Sequence, residues 1–262
     1  MLTHRLLTQK TRNQLMEQMD KDQHLLFYSY LTQRKESAQF VGQYIDNQLT
    51  AVLAYLSELS FPAFSFYHMS EKEVFLPELI AFTRATFQLE QNVICGTILS
   101  QRDFQLFQSF GLIVGEPQRF LTMKHVDQSK LLESNKVELV KEKEFSEVLD
   151  FLQGGGMRFF TRSELERCPF LGIKDGNEFI AVGGFHFYDR ELVELGNIIT
   201  RLDYRGKGLA KSLTSQLTYL GKQLSADVYL GVFSENLPAV HVYKSLGYET
   251  TVELWMVDFT LS

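Results

Sequence analysis

Cysteine is nearly absent from this chain. Its 262 residues hold only Cys95 and Cys168, and no Cys-x-x-Cys occurs. A disulfide framework is thereby excluded, and a reducing compartment is expected. The six histidines are scattered, with no His-x-x-x-His or similar cluster, so no metal site is expected. Basic excess is missing as well. The net charge is −6, which argues against a sequence-blind nucleic-acid binder. No apolar run approaches the roughly 20 residues that span a bilayer. The start, Met1 to Arg5 and the polar stretch after it, lacks the apolar core of a signal peptide. These absences predict a soluble cytoplasmic protein with neither nucleic acid nor membrane as partner. They leave the oligomeric state open.

What is present is a large apolar inventory. Hydrophobic residues make up 45% of the chain, with 22 Phe and 11 Tyr, enough for packed cores. Residues 1–35 have the spaced Leu and Met of helix. Strands are expected at 40–45 and 49–56 around Asp46-Asn47, at 64–68, 92–98 and 120–124, with helices at 71–87 and 103–110. Residues 126–136 are polar and charged, as in a linker. The order then repeats: a strand at 137–140, a helix at 142–152, the loop Gly154-Gly155-Gly156, and strands at 170–173, 179–187 and 192–200. A helix carries Leu209, Leu213, Leu217, Leu220 and Leu224 on one stripe. A strand at 228–233, a helix from Asn236 to Gly247 and a strand at 251–259 follow.

The repetition reaches individual residues. Phe40-Val41-Gly42 then Ala51-Val52 matches Phe170-Leu171-Gly172 then Ala181-Val182. Phe107-Gln108-Ser109-Phe110-Gly111 matches Tyr243-Lys244-Ser245-Leu246-Gly247. Two copies of one α/β domain are inferred, at 1–128 and 129–262.

Arg205-Gly206-Lys207-Gly208-Leu209-Ala210 follows a strand and opens a helix. Unpaired amides at a helix N-terminus, backed by the helix dipole, hold anions. The glycines admit a phosphate to the backbone, and Lys207 and Lys211 add positive charge. A Walker loop and the dinucleotide fingerprint both fail, because Ala210-Lys211-Ser212 lacks the glycines of the first and Lys211 replaces the last glycine of the second. No Gly-x-Ser-x-Gly elbow supports a hydrolase triad.

Two motifs together give the chain a resemblance to the GNAT superfamily of N-acyltransferases. The family motif Gln/Arg-x-x-Gly-x-Gly/Ala is matched by Arg205, Gly208 and Ala210. The motif Asn-x-x-Ala-x-x-x-Tyr-x-x-x-Gly-Phe/Tyr is matched by Asn236, Ala239, Tyr243, Gly247 and Tyr248. Order and spacing agree over most of residues 137–262. Leu202 departs from the proline common in relatives. The arrangement also resembles the two-domain branch, with a degenerate N-terminal copy before an intact one. The implied fold is α/β (α+β): tandem GNAT-like domains, each with a mixed, mostly antiparallel sheet flanked by helices.

The resemblance implies roles for named residues. Acetyl-CoA would be the co-substrate, with no metal. Ile198, Ile199 and Thr200 would pair with its pantetheine arm, and an amide near Ile198 would polarise the thioester carbonyl. The loop from Arg205 through Gly206, Lys207, Gly208, Leu209 and Ala210 to Lys211 would hold the pyrophosphate, and Asn236 would contribute from the next helix. Tyr243 would protonate the departing thiolate. Glu194, inside the apolar run Leu192–Leu195, is the candidate base, directly or through water; its plain alternative is an exposed strand residue. Glu191 is a weaker candidate. His186 and His241 read as packing or hydrogen-bonding residues, though His186 could line the acceptor cleft. The segment Gly154 to Arg162, with Arg158, Phe159 and Phe160, would line that cleft together with the N-terminal half.

The N-terminal copy reads as inactive. Only Met69 and Ser70 separate its strand from its helix, and Phe107 stands where Tyr243 stands. The expected function is transfer of an acetyl group from acetyl-CoA to a primary amine of a small molecule or peptide, by direct attack in a ternary complex. A non-catalytic acyl-CoA-binding regulator and an aminoacyl-tRNA-dependent transferase are the alternatives.

Overall fold

The computed structural model describes residues 1–57, 59, 61–69, 73–157 and 160–261. The chain divides into two compact units. One comprises Met1–Phe120 with Val252–Ser262, the other Leu121–Thr251.

The first unit opens with β1 (Leu2–Leu6), then α1 (Gln9–Gln18) and α2 (Leu25–Leu31). Then come β2 (Ala38–Ile45), β3 (Gln48–Leu56), β4 (Ala63–His68), α3 (Leu76–Phe87), β5 (Ile94–Leu99) and α4 (Gln101–Ser109). β6 (Ile113–His125) leads into the second unit, which continues with β7 (Glu138–Leu139), α5 (Phe145–Gly154), α6 (Arg162–Arg167), β8 (Phe170–Asp175), β9 (Glu178–Tyr188) and β10 (Leu192–Thr200). α7 (Leu209–Leu224), β11 (Asp227–Phe233), α8 (Leu237–Ser245) and β12 (Tyr248–Thr260) complete the chain. The strand order is β1-β2-β3-β4-β5-β12 in the first unit and β6-β11-β10-β9-β8-β7 in the second.

The repeat is visible in hydrogen-bond register. Gly42 faces Val52, and Gly172 faces Val182; Phe40 faces Ala54, and Phe170 faces Gly184. Both hairpins carry a register shift at the matching place, after Gln43 in one and after Ile173 in the other. Each glycine has a tight local reason. A Cβ on Gly172 would come within 2.3 Å of the Phe179 ring, and one on Gly42 within 2.7 Å of Leu49 and Leu7.

Each unit takes strand residues from the other side of the 128/129 boundary suggested by the repeat. β12 pairs antiparallel with β5, from Trp255–Leu99 to Thr260–Ile94, and buries Val257, Phe259 and Leu261 in the first core. The second core, beneath α7, contains Leu121 and Met123 from β6. The polar segment 126–136 therefore lies inside the second unit, where Val126 N donates to Gly247 O at 2.9 Å.

Several local expectations are corrected. Residues 1–35 are not all helical: Leu2–Leu6 is a strand, because β2 offers it a ladder from Leu2–Ile45 to Leu6–Val41. α3 starts at Leu76 rather than 71, since Pro77 suits a first helical turn. Position 71 lies outside the described residues. Residues 162–167 form a helix, in a stretch to which the sequence pattern assigns no element. Its start is fixed by Glu164, whose carboxylate accepts from Thr161 N at 2.8 Å.

Burial also sets a pH dependence. His125 is 2% exposed and stacks edge-on against Tyr248, with ring centroids 5.1 Å apart. Burial first, and the nearby Lys222 cation second, hold its imidazole below the usual range. His4 and His24 are lowered by burial too. A group lowered in the folded state adds stability above its unfolded pKa of about 6.5, and that stability is lost as pH falls further. We expect the thermal midpoint to drop between pH 7.5 and 5.5, and to drop less in His125→Phe. Differential scanning calorimetry checks both; identical drops would remove His125 from the account.

Candidate active site

The site is built where two parallel strands part. β10 and β11 pair in register from Leu192–Asp227 to Leu195–Leu230 and no further, although β10 runs on to Thr200 and β11 to Phe233. β10 stays with β9, through Ile199–Val182 and Thr200–Ala181 to Arg201 N, which donates to Ile180 O at 2.9 Å. A register shift between Gly196 and Ile199 accompanies the departure, and Asn197 within it adopts φ +54°. Asparagine tolerates this left-handed conformation better than most residues. The backbone of residues 196–200 thus has an edge outside the β11 ladder. At its end, Thr200 Oγ1 is buried without a hydrogen-bond partner among the described residues.

The connection to α7 is pinned. Tyr204 donates its hydroxyl proton to Asp175 at 2.5 Å, and the guanidinium of Arg201 bridges Asp203 at 2.9 Å and Glu178 at 3.0 Å. Asp175 in turn raises the Tyr204 phenol. Leu202 is 75% exposed, so its departure from the family proline disturbs no packing. Arg205 Nε donates to Thr200 O at 3.2 Å. Gly206 and Gly208 both adopt φ +76°, and a Cβ on either would meet nothing within 4 Å. Only glycine takes that conformation routinely, so both positions are explained by backbone.

Gly208 caps α7. No side chain caps the helix, and its first turn holds no acidic residue. The amides at Leu209, Ala210 and Lys211 therefore lack intrahelical acceptors and point out of a 16-residue dipole. Lys207 and Lys211 stand beside them, the Lys207 ammonium lying 4.3 Å from the Tyr204 ring centroid. A recess of about 530 Å³ also reaches Leu209; Lys136, Glu138, Lys174, Asp175 and Phe179 supply other walls.

β11 hands over to α8 at Asn236, whose Oδ1 accepts from Ala239 N at 3.3 Å. That cap occupies the oxygen, which leaves the amide nitrogen of Asn236 as its donor. Tyr243, two turns on, joins the core cluster that contains Leu195 and Leu230, the last ladder pair. It is 9% exposed, and burial pushes its phenol up to about 12.

Glu194 lies on the opposite face of β10 from Val193 and Leu195, which join the core under α7. It is not an exposed strand residue: its side chain is 16% exposed, and its Oε2 is 3.5 Å from Nδ1 of His186 on β9. Nothing draws Glu194 and Tyr243 into direct contact. Glu191 is exposed, and its amide donates to Asp189 in the turn before β10. His241 is exposed on α8. Of the cleft candidates, Arg158 and Phe159 lie outside the described residues. Phe160 is buried against Phe170. Gly155 touches β10, where a Cβ would come within 2.6 Å of Ile199 Cδ1.

Among the described residues, the first unit shows no equivalent of these parts. Seven residues separate β4 from α3, not two, but none is glycine. The start of α3 is occupied from within: fully buried Gln43 accepts from Phe75 N at 2.8 Å and donates to Glu73 O at 3.0 Å. Phe107 is fully buried between Phe66 and Phe259 and has no proton to give.

A parted parallel strand pair, a glycine loop and an uncapped helix thus follow one another in the second unit. Residues 131–248 match the Acetyltransferase (GNAT) family and form a GNAT acetyltransferase domain. The whole chain is similar to a GCN5-related N-acetyltransferase from Sphaerobacter thermophilus, at TM-score 0.70 and 12% identity, covering 99% of this chain and 96% of that one. A GNAT-family acetyltransferase from Colwellia psychrerythraea gives TM-score 0.62 and 15% identity over 98% and 99%. A tandem GNAT protein from the clavulanic acid biosynthesis pathway gives 0.64 and 10% over 100% and 99%. No curated protein matches. Among the described residues no cluster of three or more His, Cys, Asp or Glu is placed to hold a metal, and no helix is long and apolar enough to cross a membrane.

Proposed function

We propose that this protein is an acetyl-CoA-dependent N-acetyltransferase acting on a primary amine of a small molecule or peptide. The observation that carries the reading is the uncapped N-terminus of α7 behind two left-handed glycines, set at the mouth of the parted strands. The pyrophosphate sits on the amides from Gly206 to Lys211, with Arg205, Lys207 and Lys211 supplying charge. The pantetheine arm pairs with the free edge at Ile198–Thr200, where Thr200 Oγ1 and the amide of Asn236 offer further contacts. The amide near Ile198 polarises the thioester carbonyl. Catalysis is direct attack by the amine, driven mainly by positioning.

Tyr243 then faces the departing sulfur. A phenol at about 12 stays protonated throughout the neutral range. Complete transfer of its proton to a thiolate of pKa about 8.5 would run against that order of acidities. We therefore assign it a hydrogen bond that stabilises the developing thiolate, which takes its final proton from water.

Calorimetric titration with acetyl-CoA, followed by a screen of primary amines for thiol release, tests the reading. A folded wild type that binds no acetyl-CoA would end it. Tyr243→Phe is expected to bind acetyl-CoA normally and to lose about 10–100-fold in kcat. Its melting temperature should not move, because the hydroxyl has no hydrogen-bond partner among the described residues. Unchanged kcat would remove Tyr243 from the chemistry.

A further inference from the structure

We propose that His186, oriented by Glu194, accepts the proton released by the attacking amine, with Glu194 as positioning residue; this rests on the acetyltransferase reading. The β9–β10 register makes the pair. Glu194 faces Phe187 and Leu195 faces Phe185, so His186 is the extra residue of a bulge. Bulges re-aim side chains, and this one turns the imidazole toward Glu194. The Nδ1–Oε2 distance is 3.5 Å, with side-chain exposures of 36% and 16%. The carboxylate is thus sheltered and the imidazole reaches solvent.

Gly196 fixes where the ring lies. A Cβ at that position would fall 2.2 Å from both Cε1 and Nε2 of His186. The imidazole therefore occupies the space of the missing side chain, directly over β10. It lies one residue past the point where β10 leaves β11, and two before Ile198. Any residue larger than glycine at 196 would evict it. Among the described residues, Cys168 is a further titratable neighbour, its thiol donating to the His186 carbonyl at 3.6 Å.

The chemistry favours imidazole as the acceptor, since its basicity lies nearest neutral pH, where general-base efficiency peaks. In the ligand-free protein Nδ1 stands at ion-pair distance from the Glu194 carboxylate. When substrates close the site the two draw into hydrogen-bond contact, with Nδ1–H donating to Glu194 and Nε2 taking the proton. The amine nitrogen bonds to the carbonyl carbon as its N–H proton passes to Nε2. The C–S bond then breaks, and the thiolate departs hydrogen-bonded to Tyr243. The imidazolium returns its proton to solvent, leaving N-acetylamine and coenzyme A.

Long-range proton–nitrogen NMR of labelled protein reads the tautomer, with His186 assigned by its loss in His186→Gln. At pH 8 the wild type should show the Nδ1–H form, and Glu194→Ala should shift it toward Nε2–H. Hydroxylamine, small enough to need no fitted acceptor pocket, serves as probe amine for thiol release from acetyl-CoA. His186→Gln should lose about 10²-fold or more and Glu194→Ala about tenfold, both binding acetyl-CoA like wild type. Gly196→Ala, which keeps both groups but displaces the ring, should fall toward His186→Gln. An Nε2–H tautomer in the wild type, or an undiminished rate in His186→Gln, would overturn the proposal. Failure of the wild type to bind acetyl-CoA would instead overturn the transferase reading, before any variant is made.

Discussion

Gly208→Trp is expected to abolish saturable acetyl-CoA binding and leave the fold intact. Gly208 is exposed, and a Cβ placed on it meets no atom within 4 Å, so the substitution starts into open space. The indole enters the space in front of the Leu209, Ala210 and Lys211 amides. The backbone at φ +76° adds strain of about 1–2 kcal/mol, tolerable against a domain stability of about 5–15 kcal/mol. Affinity should fall at least about 100-fold, or about 2.7 kcal/mol. Gly115→Trp is the control. Gly115 has φ +70° and equally open surroundings but belongs to the first unit, so the same strain should leave affinity unchanged. Calorimetry and a melting curve on each variant decide it. Equal affinities would mean that the anion is not held at α7.

Deletion of residues 252–262 is expected to unfold the first unit, although these residues lie farthest from it in sequence. β12 gives β5 six ladder pairs and places Val257, Phe259 and Leu261, all 2% exposed or less, in that core. Phe259 stacks edge-on against both Phe64 and Phe107, and Arg84 donates to Leu261 O at 3.0 Å. Truncating one buried Phe to Ala typically costs about 3–5 kcal/mol. Losing three buried side chains and a strand therefore exceeds the whole stability of an ordinary domain. Hydrogen exchange should show β2 to β5 unprotected in the deletion, while Phe259→Ala alone lowers the melting temperature without unfolding. Protected amides at Val41 and Leu53 in the deletion would refute the account. The same logic warns against expressing 129–262 alone, since the second core would lose Leu121 and Met123.

Much of this molecule was readable before any coordinates. Gly206 and Gly208 punctuate a strand-to-helix junction. The Leu209–Leu224 stripe has a helical period, and Asn236 and Gly247 bracket α8. All are signals contained within a few residues, where conformational preference is decided by local sterics and hydrogen bonding. The hairpin repeat was legible for the same reason, because register in a hairpin follows from its turn and pattern. α6 escaped because its one clear signal, Thr161 with Glu164, is short and sits in a polar stretch.

What tertiary structure alone decided concerns partners distant in sequence. Leu2–Leu6 has little strand pattern and becomes a strand because β2 offers an edge. The meeting of His186 and Glu194 depends on a one-residue bulge, and no spacing rule predicts which residue a ladder will extrude. The assignment of β12 to the first unit and of Leu121–His125 to the second is of the same kind. Sequence by itself determined most of the elements, their order and the left-handed turns of the glycine loop, because those follow from interactions between near neighbours. The pairing of strands across the chain was left to the folded state, because a strand's exposed amides and carbonyls do not specify which neighbour will satisfy them.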